Sequence, residues 1–90
     1  LDLEEFDMHS LINDVFESLD IRARKKQIDL KWKKDSDHIQ LVLADKDKIR
    51  QVLVNLIENS IKYGREHGTT EVSFYDMDEN VFIEIKNASC

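Results

Sequence analysis

Proline is absent from this 90-residue chain, and glycine occurs only twice, at Gly64 and Gly68. Without proline, a long helix can run without a kink or a break. With two glycines, the chain has no glycine-rich loop whose backbone amides could enclose phosphate groups. The one cysteine, Cys90, excludes a disulfide bond within the chain and is compatible with a reducing compartment.

Long apolar runs are also missing. No stretch approaches the roughly 20 residues needed to cross a bilayer, and no signal peptide is visible, so this segment predicts no direct membrane contact. The net charge of −6 argues against a general nucleic-acid surface and makes any phosphate ligand depend on local positive charge. The balance of 41% hydrophobic and 36% charged residues is typical of one small soluble domain with a marginal core.

Hydrophobic periodicity predicts two helices. From Met8 to about Lys25 apolar residues recur at helical spacing, and Asp7 is the predicted N-cap. A second helix is predicted to begin after Asp45, again as N-cap, and to end at Gly64. Its broad apolar face must be buried. That face consists of Ile49, Val52, Leu53, Leu56, Ile57 and Ile61.

Alternation of apolar and polar residues predicts the strands. A short edge strand is predicted near residues 3–7. Residues 28–33 and 39–43 are predicted to pair as one hairpin, and residues 71–75 and 81–86 as a second. The resulting order predicts an α+β fold in which two helices cover one face of a mixed or antiparallel sheet.

The polar face of the second helix carries the most informative pattern. Asn55 and Asn59 lie four residues apart and are followed by Lys62 and, at the margin of the face, Tyr63. Asparagine is a poor helix former, so a pair inside a helix indicates that another interaction compensates for their unfavourable helix propensity. A solvated polar face is the simplest explanation for an arbitrary pair at this spacing.

A site for Mg²⁺ and phosphate is the functional explanation. The amide oxygens of Asn55 and Asn59 can ligate a hard cation without adding negative charge beside a triphosphate. Lys62 supplies a positive charge for phosphate oxygens, and Tyr63 supplies a flat ring that can lie beside a base or ribose. Residues four and seven apart lie nearly above one another on a helix, so these side chains could all point at one ligand.

The run from Asn55 to Gly64, Asn-Leu-Ile-Glu-Asn-Ser-Ile-Lys-Tyr-Gly, resembles the N-box of sensor histidine kinases. These kinases lie within the gyrase, Hsp90, histidine kinase and MutL superfamily of ATP-binding domains. Residues 45–53 are similar to the aspartate-led segment that precedes that box. The resemblance implies a Bergerat-type two-layer α/β sandwich, with the nucleotide between the long helix and the loops that follow.

Carried over position by position, the resemblance also implies roles. Asn59 would ligate Mg²⁺ with Asn55 in support, Lys62 would contact phosphate, and Tyr63 would pack near the nucleotide. Asn55 occupies the position where ATP-hydrolysing relatives usually carry a water-activating glutamate, which favours the kinase branch. The implied reaction of the intact parent is phosphoryl transfer from Mg-ATP to a histidine on a separate phospho-accepting domain. A response regulator is the implied further partner.

The chain departs from the family pattern near residue 87. The next family motif is of the type Asp-x-Gly-x-Gly, whereas this chain has Asn87-Ala88-Ser89-Cys90. Asn87 stands where the adenine-binding aspartate is expected, and Ser89 where a glycine is expected. With the glycine boxes and the lid absent, residues 1–90 are predicted to be the N-terminal part of one ATP-binding domain. Alone, this part is expected to bind ATP weakly or not at all and to be inactive.

Other residues have simpler explanations than a functional one. His9 lacks the sequence context of the family's phospho-accepting histidine. The basic run Arg22–Lys26 is more simply a solvated helix end than a phosphate or nucleic-acid site. His38 and His67 have no zinc-ligand spacing, and Trp32 is expected in the core.

The resemblance places this segment on the cytoplasmic side of a membrane-anchored sensor kinase. Two alternatives stay open. One is a degenerate, non-catalytic member of the same fold that serves as a protein-interaction module. The other is an unrelated α+β interaction module in which the asparagine pair is accidental.

Overall fold

The structure, a computed structural model, describes residues 2–77 and 80–88. Ser89, which stands where the family pattern has a glycine, and the terminal Cys90 lie outside these residues. Both predicted helices and all five predicted strands are present. The elements are β1 (Glu4–Asp7), α1 (Met8–Lys25), β2 (Asp29–Trp32), β3 (Leu41–Ala44), α2 (Lys46–Tyr63), β4 (Thr69–Met77) and β5 (Asn80–Ala88).

The strands form two separate sheets. In the first, β1 pairs antiparallel with β3, from Glu4 opposite Ala44 to Asp7 opposite Leu41. The second has the order β2-β4-β5, in which β2 runs parallel to β4 and β4 runs antiparallel to β5. The predicted β4–β5 hairpin is therefore confirmed.

The predicted hairpin between β2 and β3 is wrong. Beyond β2, the Lys33 amide still donates to the Val72 carbonyl of β4 at 2.8 Å. The chain then turns, and the buried Ser36 hydroxyl accepts from the Phe74 amide at 3.0 Å. These contacts hold β2 beside β4, so β3 finds its partner in β1 instead. Alternation identifies a strand and its buried face, but not the strand with which it pairs.

Asp7 begins α1 as predicted. Its carboxylate accepts from the backbone amides of His9 at 3.0 Å and Gln40 at 2.9 Å, and from the Ser10 hydroxyl at 3.1 Å. Partial burial alone would raise the pKa of Asp7, but the bonds from Gln40, Ser10 and His9 outweigh it and lower that pKa below its ordinary value. One side chain thus caps the helix and ties it to the residue before β3.

The second helix begins and ends where predicted. Asp45 accepts from the Lys48 amide at 3.3 Å, and the helix stops before Gly64. Gly64 has extended backbone angles, φ −73° and ψ 160°, so a left-handed turn does not explain the glycine. Space explains it, because a Cβ at this position would lie 2.5 Å from the Ser60 carbonyl oxygen.

Only part of the predicted apolar face of α2 is buried. Leu53, Ile57 and Ile61 are in the core, whereas Val52 and Leu56 are 53% and 49% exposed. At about 100° per residue, the exposed pair lies at the side of the stripe nearest the asparagines. The apolar stripe is wider than the surface that α1 and the sheet cover, which is why the prediction fails at this side.

Both helices pack against the buried sides of the strands around one core, which confirms the predicted α+β fold. The strands are divided between two sheets rather than forming one. Neither helix in the described residues combines the length and the apolarity that a bilayer crossing needs. Among the residues whose burial the structure describes, the buried apolar ones are Phe6, Met8, Leu11, Ile12, Val15, Leu19, Ala23, Ile28, Leu53, Ile57, Ile61, Val72 and Phe74.

Candidate functional site

The asparagine pair lies on the outside of the domain. Asn55 and Asn59 are both exposed on α2, so neither amide is sealed in the core. Tyr63, one turn further along, is 74% exposed. The exposed Val52 lies seven residues before Asn59, nearly above it on the helix. Two amides and an aromatic ring are therefore exposed to solvent on one apolar-flanked face.

A cavity of about 150 Å³, partly open to solvent, lies at the end of α2. It brings together Tyr63 and Asn87, which the sequence predicted as nucleotide-binding residues. Asn55, Asn59 and Lys62 do not line it. The cavity is lined by Ile28, Ser60, Tyr63, Gly64, Arg65, Gly68, Thr69, Thr70 and Asn87.

Lys62 lies beside this cavity rather than in it. Its Nζ is 5.3 Å from the centroid of the Tyr63 ring, a cation–π contact between neighbours in the chain. The ammonium group is exposed and close to the ring that lines the cavity. It can therefore add positive charge at the rim.

A hydrogen-bonded cluster forms one wall of the cavity. Thr70 lies opposite Asn87 in the β4–β5 pairing. The Ser60 and Thr70 hydroxyls are 2.6 Å apart, and Ser60 Oγ donates to Asn87 Oδ1. Thr70 Oγ1 lies 3.5 Å from the same amide oxygen. Sequence reasoning missed Ser60 and Thr70, although a serine between Ile57 and Ile61 on a buried helix face was a usable signal.

The loop below the cavity is held by the end of α1. Lys26 Nζ donates to the carbonyl oxygens of Ile61 at 2.8 Å, Lys62 at 3.0 Å and Gly64 at 2.7 Å. The Lys26 carbonyl accepts from the His67 amide at 3.0 Å. Lys26 therefore satisfies the last carbonyls of α2 and opposes the negative end of its dipole.

The two arginines of the basic run form ion pairs at the surface. Arg22 contacts Glu58 at 2.5 Å, and Arg24 contacts Asp20 at 2.9 Å. These pairs agree with a solvated helix end and give the arginines no role at the cavity.

His9 lies in a structural cluster at the start of α1. Its ring stacks on Trp32 with centroids 4.7 Å apart, and its Nε2 lies 2.5 Å from the Asp37 carboxylate. The Trp32 indole donates to Asn13 at 2.9 Å and packs at the edge of the core, as predicted. His9 is not among the residues that line the cavity.

The donor set suits a cation that arrives with phosphate. Among the described residues, no group of three or more histidine, cysteine, aspartate or glutamate side chains could hold a metal ion. Asn55 and Asn59 would offer two neutral oxygens, which leaves most of an Mg²⁺ shell to water and phosphate oxygens. Their chemistry fits Mg²⁺ bound to a triphosphate.

Sequence comparison finds histidine kinases. The chain is 35% identical over 81 residues to Histidine kinase 2 of Arabidopsis thaliana, covering 88% of this chain and 7% of that protein. It is 41% identical over 63 residues to the adaptive-response sensory kinase SasA of Synechococcus elongatus, covering 70% of this chain and 16% of that one. No protein-family model matches the chain.

Solved structures give the same result. The nucleotide-free catalytic domain of histidine kinase ThkA superposes with a TM-score of 0.87 at 31% identity, over 97% of this chain and 59% of that one. The chain is homologous to the catalytic domains of histidine kinases. ThkA in complex with its response regulator TrrA also matches, with a TM-score of 0.83 at 32% identity, over 94% of this chain and 25% of that one.

The histidine kinase resemblance predicted from the N-box is thereby confirmed. The chain spans part of the catalytic domain and less than a fifth of each curated relative described above. The ligand-binding roles of Asn55, Asn59, Lys62, Tyr63 and Asn87 stay predictions.

Proposed function

We propose that this chain is the nucleotide-binding part of a protein histidine kinase that uses Mg-ATP. The observation that carries the proposal is the cavity at the end of α2, where Tyr63 and Asn87 meet. The exposed amides of Asn59 and Asn55 continue from it along the same helix. Phosphoryl transfer belongs to the whole protein, because the chain covers only 7% and 16% of its curated relatives.

Under this proposal the base and the phosphates would bind along different parts of α2. The base would lie against Tyr63 with its edge toward Asn87. From Tyr63, Asn59 is about 6 Å and Asn55 about 12 Å back along the helix. The triphosphate would run in that direction, with Lys62 adding positive charge from the rim. When bound, Mg²⁺ supplies charge neutralisation at the phosphate oxygens.

We also propose two protein partners on the basis of the homology. A histidine on a separate phospho-accepting domain would attack the γ-phosphate, and a response regulator would receive the group afterwards. The ThkA structure with TrrA supports this class of partner. We place the segment on the cytoplasmic side of a membrane-anchored sensor kinase.

Replacing Asn59 with alanine in the whole protein tests the nucleotide site. We expect Mg²⁺-dependent ATP affinity to fall on the order of 10- to 100-fold, because the proposed amide ligand of Mg²⁺ is lost. Isothermal titration with and without Mg²⁺ measures this. Gln51→Ala is the matched control, since Gln51 is also exposed on α2. Unchanged Mg-ATP affinity in Asn59→Ala would remove the metal role.

The 90-residue chain by itself is expected not to autophosphorylate and not to bind Mg-ATP tightly. It has only two glycines and therefore no glycine-rich segment of the kind that encloses phosphates. Catalysis that rests on positioning and electrostatics needs the complete site. Titration of the isolated chain with Mg-ATP tests this, and micromolar affinity would contradict it.

A non-catalytic interaction module of the same fold is the second candidate. The observation that favours it is the exposed apolar pair Val52 and Leu56 beside the asparagines, which could contact another protein. The two candidates differ in one measurement. Nucleotide binding by the whole protein that depends on Asn59 would exclude the interaction module.

A further inference from the structure

Two buried hydroxyls fix the orientation of the Asn87 amide. Ser60 is 5% and Thr70 1% exposed, so neither hydroxyl can rely on bulk water for its hydrogen bonds. Each carries a single proton. One consistent arrangement uses both protons: Thr70 donates to Ser60, and Ser60 donates to Asn87 Oδ1.

Reversing the amide would break this chain of hydrogen bonds. With the Asn87 nitrogen toward Ser60, the cluster would contain only the two hydroxyl oxygens as acceptors, and only one hydroxyl could donate to the other. The remaining hydroxyl proton would then have no acceptor within the cluster. A buried donor without a partner is costly, so the observed orientation is the favoured one.

The Asn87 nitrogen is consequently directed away from the Ser60 and Thr70 hydroxyls. Because Asn87 lines the cavity, this nitrogen is free to donate to a molecule bound there. Within residues 2–77 and 80–88, no protein group accepts a hydrogen bond from it. An aspartate at this position would present an acceptor, whereas Asn87 presents two donors.

We propose that Asn87 shifts the base preference of this site from adenine toward purines with a carbonyl group at C6. This inference rests on the proposed nucleotide-binding function. Adenine carries an amino donor at C6, which would face the amide donor of Asn87. Guanine carries an acceptor there, and so does hypoxanthine. Asn87 is the specificity-determining residue, and Ser60 and Thr70 are positioning residues that act through it.

The test compares Mg-ATP with Mg-ITP in the whole protein that carries this chain. ITP is the sharper probe, because it differs from ATP only at the C6 edge and the adjoining N1. We expect ITP to bind at least as tightly as ATP. Asn87→Asp should reverse this to a preference for ATP of about tenfold or more, since a carboxylate can only accept from the base.

A second variant separates positioning from folding. Thr70→Val is nearly isosteric and removes one hydroxyl from the hydrogen-bonded cluster. The Asn87 amide can then flip more easily. We expect its ATP-to-ITP affinity ratio to move toward that of Asn87→Asp, while thermal unfolding shows that the protein remains folded. A merely structural role would change both affinities equally and leave the ratio unmoved, which would remove Thr70 and Ser60 from the mechanism.

The outcomes distinguish this inference from the function on which it rests. A wild-type preference for ATP equal to that of Asn87→Asp would overturn the base-selection role and leave the nucleotide site intact. Binding of neither nucleotide would overturn the nucleotide-binding function and this inference with it. Equal or tighter binding of ITP, reversed by Asn87→Asp, would support both.

Discussion

Asp7 joins three parts of the chain through one carboxylate. It caps α1 through the His9 amide, accepts from the Ser10 hydroxyl, and binds the Gln40 amide ahead of β3. The cap was predictable, because aspartate before an apolar helical run is a local signal. The bond to Gln40 was not predictable, since it joins residues 33 positions apart.

The lowered pKa of Asp7 predicts a pH-dependent stability. A carboxylate with a folded pKa below its unfolded value stabilises the protein fully above the unfolded value of about 3.9. That contribution is lost as the pH falls through the folded pKa. We expect Asp7→Asn, which keeps an acceptor oxygen but no titrating charge, to flatten this loss.

Urea unfolding at several pH values between neutral and acidic measures the effect. The difference in unfolding free energy between wild type and Asp7→Asn should shrink as the pH falls. A difference that stays constant through the acidic range would show that the charge on Asp7 has no part in stability.

Residue type and spacing were enough to identify the outward-facing candidates. Asn55 and Asn59 stand out because their side chains are unfavourable inside a helix, and the structure leaves both exposed. Ser60 escaped notice because its partners, Thr70 and Asn87, are 10 and 27 residues away. A polar residue on a buried face indicates a partner, but spacing cannot identify that partner.

At the scale of the element, the C-terminus of α2 depends on α1. Lys26 Nζ contacts three carbonyl oxygens there, at 2.7–3.0 Å. This is the stretch that carries Tyr63 and begins the loop below the cavity. The position of the aromatic ring therefore depends on a cation from another helix.

Lys26→Met is expected to lower the unfolding free energy by about 1–3 kcal/mol, because charge-assisted bonds to otherwise unpaired carbonyls are lost. Methionine keeps most of the aliphatic length, so packing changes little. Lys25→Met is the matched control, with the same charge change at an exposed neighbour. Equal destabilisation by both variants in urea unfolding would indicate a general charge effect.

The strand pairing shows where element-scale reasoning fails. Residues 28–33 and 39–43 alternate well enough to be recognised as strands, yet β2 lies beside β4, 40 positions later at Asp29 and Thr69. Sequential strands often pair, but the contacts of Lys33 and Ser36 with β4 decide otherwise here.

At the scale of the whole molecule, the candidate site is formed by segments that are far apart in the sequence. Its lining runs from Ile28, the residue before β2, through the end of α2 to Asn87 on β5. The mixed sheet makes this possible, because the parallel β2–β4 pair brings Asp29 opposite Thr69 while β5 returns to place Asn87 opposite Thr70. No local pattern could have predicted this cavity.

The sequence by itself determined the two helices with their caps, the strands, the α+β class, the histidine kinase resemblance and the exposed asparagine pair. Each of these depends on side chains within a few turns of one another, which is the range over which periodicity and capping act. The tertiary structure decided which strands pair, which part of the apolar stripe of α2 is covered, and that Ser60 and Thr70 orient Asn87. These depend on contacts between segments tens of residues apart, where burial and hydrogen-bond satisfaction of the whole chain select one arrangement.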